Sequence, residues 1–174
     1  MSDTFQAIAL EAEKESPLWA ACLLPSATRQ RCAVFSPLTE PRFALGVETI
    51  YEGYLVHYGK PRLFAAPDPD TALLLGDYLY AHGLVRVASF GEVDAVADLS
   101  ELISLSSQLR AEDADGDGAL WAATAALLGR GGLEEPRAAL RLRGEATPLD
   151  AVARSAAGDE AVERALAAHR LQLG

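Results

Sequence analysis

Asp113-Ala114-Asp115-Gly116-Asp117-Gly118 sets three carboxylates at alternate positions and follows the last with glycine. That is the first half of a calcium-binding helix-to-helix loop, in which a hard cation gathers oxygen ligands around a sharp turn. The loop's twelfth position, where a glutamate would close the shell with both oxygens, is Thr124. Asp113, Asp115 and Asp117 are therefore the candidate metal ligands of the chain, and a solvated acidic loop is the plainer expectation.

Other residue types that do chemistry are scattered. His57, His82 and His169 form no HExxH or Glu-x-x-His pattern, so neither a zinc nor a di-iron site is signalled. Ser104, Ser106 and Ser107 lie outside any GxSxG elbow. The run Gly129-Arg130-Gly131-Gly132 lacks the Lys-Ser/Thr that would make it a phosphate loop. Cys22 and Cys32 form no CxxC and read as apolar core thiols. No resident cofactor is expected.

These residues need a scaffold, and composition says which. The 174 residues suit a single helical domain spanning 1–174. Half of them are hydrophobic and 23% charged, which excludes wholesale disorder. Alanine and leucine prevail over β-branched and aromatic residues, so the expected class is all-α. A net charge of −10 argues against a nucleic-acid backbone or an anionic membrane surface, both of which need Lys and Arg. No apolar run is long enough to span a bilayer, and the N-terminal residues lack the basic and apolar regions of a signal peptide. A cytoplasmic location is the expectation.

Helices are expected over 3–15, 42–57, 70–90, 92–112, 119–129, 134–142 and 160–172, with pieces such as 26–35 in the proline-punctuated stretch before Pro41. Asp68-Pro69 is a start signal, a side-chain acceptor followed by a residue with no N–H to lose. The helix it opens carries Leu73, Leu74, Leu75, Leu79, Leu84, Val85 and Val87. Apolar on most sides, it is expected at the centre of the molecule. A two-residue link at Gly91 makes it the first half of an antiparallel hairpin. Thr147-Pro148-Leu149-Asp150 reads as a capping box.

Gly59-Lys60-Pro61 and, seventeen residues after Gly59, Gly76-Asp77-Tyr78-Leu79 resemble the GKP and GDxL motifs of the trans-isoprenyl (polyprenyl) diphosphate synthases. Glu48-Thr49-Ile50-Tyr51 is similar to the start of the helix that bears the family's DDxxD. The likeness spans residues 44–112 and implies a reduced isoprenoid-synthase bundle. It also shows what is missing. The interval from Glu48 to Gly59 is shorter than the family pattern, and the aspartates that would hold Mg²⁺ on the diphosphate fall in the gap. The arginine pair before GKP is His57-Tyr58, which offers no permanently charged fork. Ala123-Thr124-Ala125 resembles the family's KTA with alanine for the phosphate-binding lysine, and no second DDxxD follows.

The resemblance implies a noncatalytic protein, a partner or regulatory subunit that associates through the helix pair 70–111. It would pack as a homodimer or with a full-length synthase, since family members commonly dimerise near this region. An alternative is a carrier or sensor of an apolar, isoprenoid-like ligand, with Tyr51, Tyr54, Leu75 and Leu79 lining the bundle cavity and Lys60 and Asp77 carried over from the motifs. A third is a residual diphosphate-processing enzyme. A filled core between the helices at 42–57 and 70–90 would exclude the carrier.

Overall fold

The computed structural model describes residues 3–174. Among these it holds nine α-helices: α1 (Thr4–Glu15), α2 (Pro17–Cys22), α3 (Ala44–Tyr58), α4 (Pro69–Ala88), α5 (Val93–Ala111), α6 (Asp117–Leu127), α7 (Glu134–Arg143), α8 (Thr147–Ala157) and α9 (Asp159–Leu173). Two 3-10 turns, Ser36–Leu38 and Pro41–Phe43, lead into α3, and one antiparallel bridge joins Leu23 to Phe64. The all-α class expected from composition is the class observed. No helix among the described residues is long and apolar enough to cross a membrane.

The helix at the centre is α3 and not α4. Every residue from Gly46 to Leu55 is buried, Glu48, Thr49 and Glu52 included. On α4, Leu75, Leu79 and Val87 turn inward while Leu73, Leu74 and Val85 face outward. Apolar content alone did not separate a buried helix from one with an exposed apolar face.

Glycine sets how these two helices meet. A Cβ on Gly53 would lie 2.9 Å from the carbonyl oxygen of Gly76, and one on Gly46 would lie 2.6 Å from Cγ2 of Val87 and 3.2 Å from the carbonyl of Gly83. The antiparallel helices therefore touch main chain to main chain along a seam that no larger residue fits.

Apolar side chains gather in two clusters. The larger joins Phe35, Val47, Ile50, Tyr51 and Tyr54 to α5, α6, α8 and α9, with Trp121 at its middle. The smaller lies between α1–α2 and the α3–α4 pair and contains Phe5, Ile8, Ala12, Cys22, Leu63, Phe64, Leu75 and Leu79.

Several local expectations are corrected. Residues 26–35 make no helix; a turn closed by Thr28 on the Pro25 carbonyl gives way to extended chain whose main-chain groups are bonded by Arg62 and Glu48. The α4–α5 link is four residues, Ser89 to Glu92. Thr147 is the first residue of α8, so the cap position falls on Ala146, which has no side-chain acceptor, and Asp150 is engaged by Arg154 Nε at 2.7 Å. Of the two thiols expected in the core, Cys22 is buried and Cys32 is exposed on the extended chain after Pro25. Asp68 does cap α4, accepting from the Thr71 N–H at 2.8 Å.

Candidate functional site

Two polar networks lie inside the bundle. The first belongs to Glu48 and Glu52, one helical turn apart on α3 and thus on one face. Arg62, just beyond the Gly59-Lys60-Pro61 turn, donates through Nη1 to Glu48 Oε2 at 2.6 Å and through Nε to Glu52 Oε2 at 2.9 Å. The other carboxylate oxygens accept from main-chain N–H groups, Val34 and Ser36 on Glu48, Arg62 and Leu63 on Glu52. All three side chains are withdrawn from solvent. Burial alone would lower the Arg62 guanidinium, but the two carboxylates hold it above its ordinary value. A charge this deep survives only when paired and fully hydrogen-bonded. Here two acids and one base pin the irregular segments 32–36 and 62–63 to α3.

The second network closes the floor of a cleft of about 360 Å³ between the α5–α6 loop and α9, bordered by Arg110, Asp113, Asp115, Asp117, His169 and Arg170. Asp117 Oδ2 accepts from the Tyr54 hydroxyl, from Arg110 Nη2 at 2.5 Å and from His169 Nε2 at 3.1 Å. Arg110 Nε donates to the Tyr54 oxygen at 2.8 Å. His169 Nδ1 lies 2.9 Å from the Tyr51 hydroxyl. Since Asp117 only accepts, Nε2 carries an imidazole proton. Burial alone would raise the Asp117 carboxyl, but hydrogen bonds from His169 and Tyr54 and the Arg110 charge hold it well below the usual carboxylate range. Burial and the Asp117 charge push the Tyr54 hydroxyl far up, and burial does the same to Tyr51.

A hydroxyl, an imidazole and a carboxylate in line are the parts of a proton relay. In this chain Tyr51 is fully buried with its hydroxyl directed at His169. What the network does is fasten four helices, α3 through Tyr51 and Tyr54, α5 through Arg110, α6 through Asp117 and α9 through His169.

The residues singled out from sequence are not gathered into one cavity. Tyr51 and Tyr54 belong to the larger cluster and Leu75 and Leu79 to the smaller, and all four are packed. The α3–α4 seam is closed, so the expected bundle cavity is filled. Lys60 is exposed beside Gly174, and its N–H donates to the Gln172 carbonyl at 2.8 Å. Asp77 is exposed and pairs with His57 at 3.3 Å. Of the three candidate metal ligands, Asp117 is committed to Arg110, Tyr54 and His169, and Asp113 sits in a left-handed conformation at φ 51°. Among the described residues no group of three or more His, Cys, Asp or Glu is placed to hold a metal ion. Thr124 in the KTA-like segment accepts from Arg137, which also engages Asp98 at 2.9 Å.

Sequence reasoning missed Glu52, Arg62, Arg110 and His169. The Glu48/Glu52 spacing on a strongly apolar helix was the one signal available. With the geometry in view, the chain was compared with known proteins: no family model, no curated protein and no solved structure matches it.

Proposed function

We propose that this chain is a noncatalytic protein of isoprenoid-synthase-like character that works by helix–helix association, as a homodimer or as a regulatory subunit of a full-length synthase in the cytoplasm. One observation carries the reading. The α4–α5 pair exposes large apolar side chains with nothing over them: Leu74 is 56% exposed, Val85 65% and, at the corner, Val93 77%, with Leu73 and Phe90 beside them. The outward positions of α5 continue with Ala97, Ser100, Ser104, Gln108 and Ala111, all exposed and uncharged. On a chain of net charge −10, this sparsely charged face, whose exposed acids include Asp77 and Asp94, lets another acidic protein approach with less repulsion than the rest of the surface. The motif likeness over residues 44–112 supplies the family character, and the missing diphosphate ligands supply the noncatalytic one.

Light scattering after size exclusion is expected to give twice the chain mass, or a complex when a synthase is added. Leu74→Glu with Val85→Glu is expected to return the chain to a monomer. A strict monomer at every concentration, with no synthase retained on the immobilised chain, overturns the reading.

A further inference from the structure

The chain contains no asparagine, and aspartate precedes glycine in it twice, at Asp115-Gly116 and Asp117-Gly118. An Asp-Gly pair closes readily on itself, because glycine sets no Cβ beside the main-chain nitrogen that would attack the preceding carboxyl. The two pairs are adjacent in one loop, so sequence treats them alike. The fold does not.

Asp117 opens α6, and its carboxylate accepts from Tyr54, Arg110 and His169. Those partners hold the group ionised, well below the usual carboxylate range, whereas ring closure needs the neutral acid, whose hydroxyl departs as water. Helical backbone at Asp117 further fixes the angle between side chain and following peptide. Asp115 is exposed, and among the described residues neither its carboxylate nor its main chain is hydrogen-bonded. The Gly116 N–H likewise meets no acceptor there.

We propose that Asp115 is a site of spontaneous isomerisation. The Gly116 nitrogen, giving up its proton, attacks Cγ of the neutral Asp115 side chain; the N–Cγ bond forms, the C–OH bond breaks, water leaves and a five-membered imide remains. Water then adds back to either imide carbonyl. Addition at Cγ restores aspartate. Addition at the main-chain carbonyl breaks its bond to the Gly116 nitrogen and reroutes the chain through Cβ, leaving an isoaspartyl residue of unchanged mass. Water is the only co-reactant. The product carries one extra methylene in the main chain just before Gly116, where a Cβ would already lie 2.8 Å from Cδ1 of Leu140 and 3.3 Å from Cβ of Ala146. With so little slack, the start of α6, and Asp117 with it, is held less well in the product.

The absence of asparagine makes the test clean, since no isoaspartate can come from deamidation. The full chain is aged in mildly acidic buffer, then probed with an isoaspartyl methyltransferase and by electron-transfer fragmentation of the tryptic peptide 111–130, which holds both pairs. Isoaspartate is expected to accumulate at Asp115 and to form at Asp117 at least about tenfold more slowly, the factor for giving up one hydrogen bond to a charged group. In urea the two sites are expected to react at similar rates. Asp115→Glu keeps the charge but needs a six-membered ring, and is expected to abolish the signal. Equal rates at the two sites in the folded chain, isoaspartate that forms only in urea, or a signal that survives Asp115→Glu overturns the proposal. The aged protein is expected to show a second population with a lower urea midpoint; one unchanged midpoint overturns the consequence for α6 and leaves the isomerisation supported.

Discussion

Arg62 and Glu48 meet at 2.6 Å with neither side chain exposed to solvent, and Glu52 makes the second half of the clasp at 2.9 Å. Removing the arginine leaves two carboxylates facing each other in the core. Arg62→Met is expected to lower the unfolding free energy by about 3–5 kcal/mol, the cost of an uncompensated buried charge. Adding Glu48→Gln and Glu52→Gln removes the charges yet keeps acceptors for the main-chain N–H groups, and is expected to recover about half of the loss. Urea titrations of the single and triple variants measure both. A single variant within about 1 kcal/mol of the parent contradicts the role assigned to the clasp.

Acid should act through Asp117. Its folded-state pKa lies below the unfolded value, so its contribution is complete above the ordinary carboxylate range and is lost as pH falls through about 4 toward the folded value. Asp117→Asn is expected to cost about 1–3 kcal/mol at pH 7 and to flatten the stability profile between about pH 4 and 2. Circular dichroism of urea unfolding across that range checks both, and an unchanged acid slope in the variant would remove Asp117 from the account.

A second window belongs to His57. Burial lowers its pKa below the usual imidazole value, although Asp77 pulls the other way. Below its ordinary titration range of about 6.5 the unfolded chain takes up the proton first, so stability falls as pH drops from about 6.5 toward the folded value. His57→Gln should erase this slope, and Asp77→Asn should steepen it. Melting temperatures between pH 7.5 and 5 decide, and a His57→Gln profile parallel to the parent's contradicts the assignment.

The α3–α4 seam makes the opposite demand from the usual helix rule. Alanine ordinarily improves a helix by about 1 kcal/mol over glycine. At Gly53, however, a methyl group would meet the Gly76 carbonyl at 2.9 Å and the ring of Tyr80 at 3.0 Å. Gly53→Ala is expected to cost about 1–3 kcal/mol through overpacking, whereas Ser100→Ala on the exposed face of α5 stays within about 0.5 kcal/mol. Thermal unfolding compares them, and a stabilised Gly53→Ala would disprove the close approach.

Most helix positions were legible because the signals are local. Asp68-Pro69 marks the start of α4 by cap chemistry alone, and Gly59 and Gly158 follow the last residues of α3 and α8. The centre of the molecule was not, since α4 and α3 are both apolar and burial depends on what packs against each. The seam left a trace that went unread: Gly46 and Gly53 are seven residues apart, as are Gly76 and Gly83, two turns of helix in each partner. The polar networks could not be read, because Arg62 meets Glu48 fourteen positions away and Tyr51 meets His169 across 118. Asp117, weighed as a cation ligand beside the plainer reading of a solvated acidic loop, has its carboxylate spent on an arginine, a tyrosine and a histidine.

Because α3 and α4 touch through glycine, the space between them is occupied by backbone, which side-chain truncation cannot remove. Core cavities are ordinarily made by cutting a leucine or a phenylalanine down to alanine. At this seam there is nothing left to cut. A chain of this length could be redesigned to hold a long apolar guest only by driving two helices apart, so α3–α4 is better used as a rigid strut on which to mount a new surface than as a container to be hollowed out.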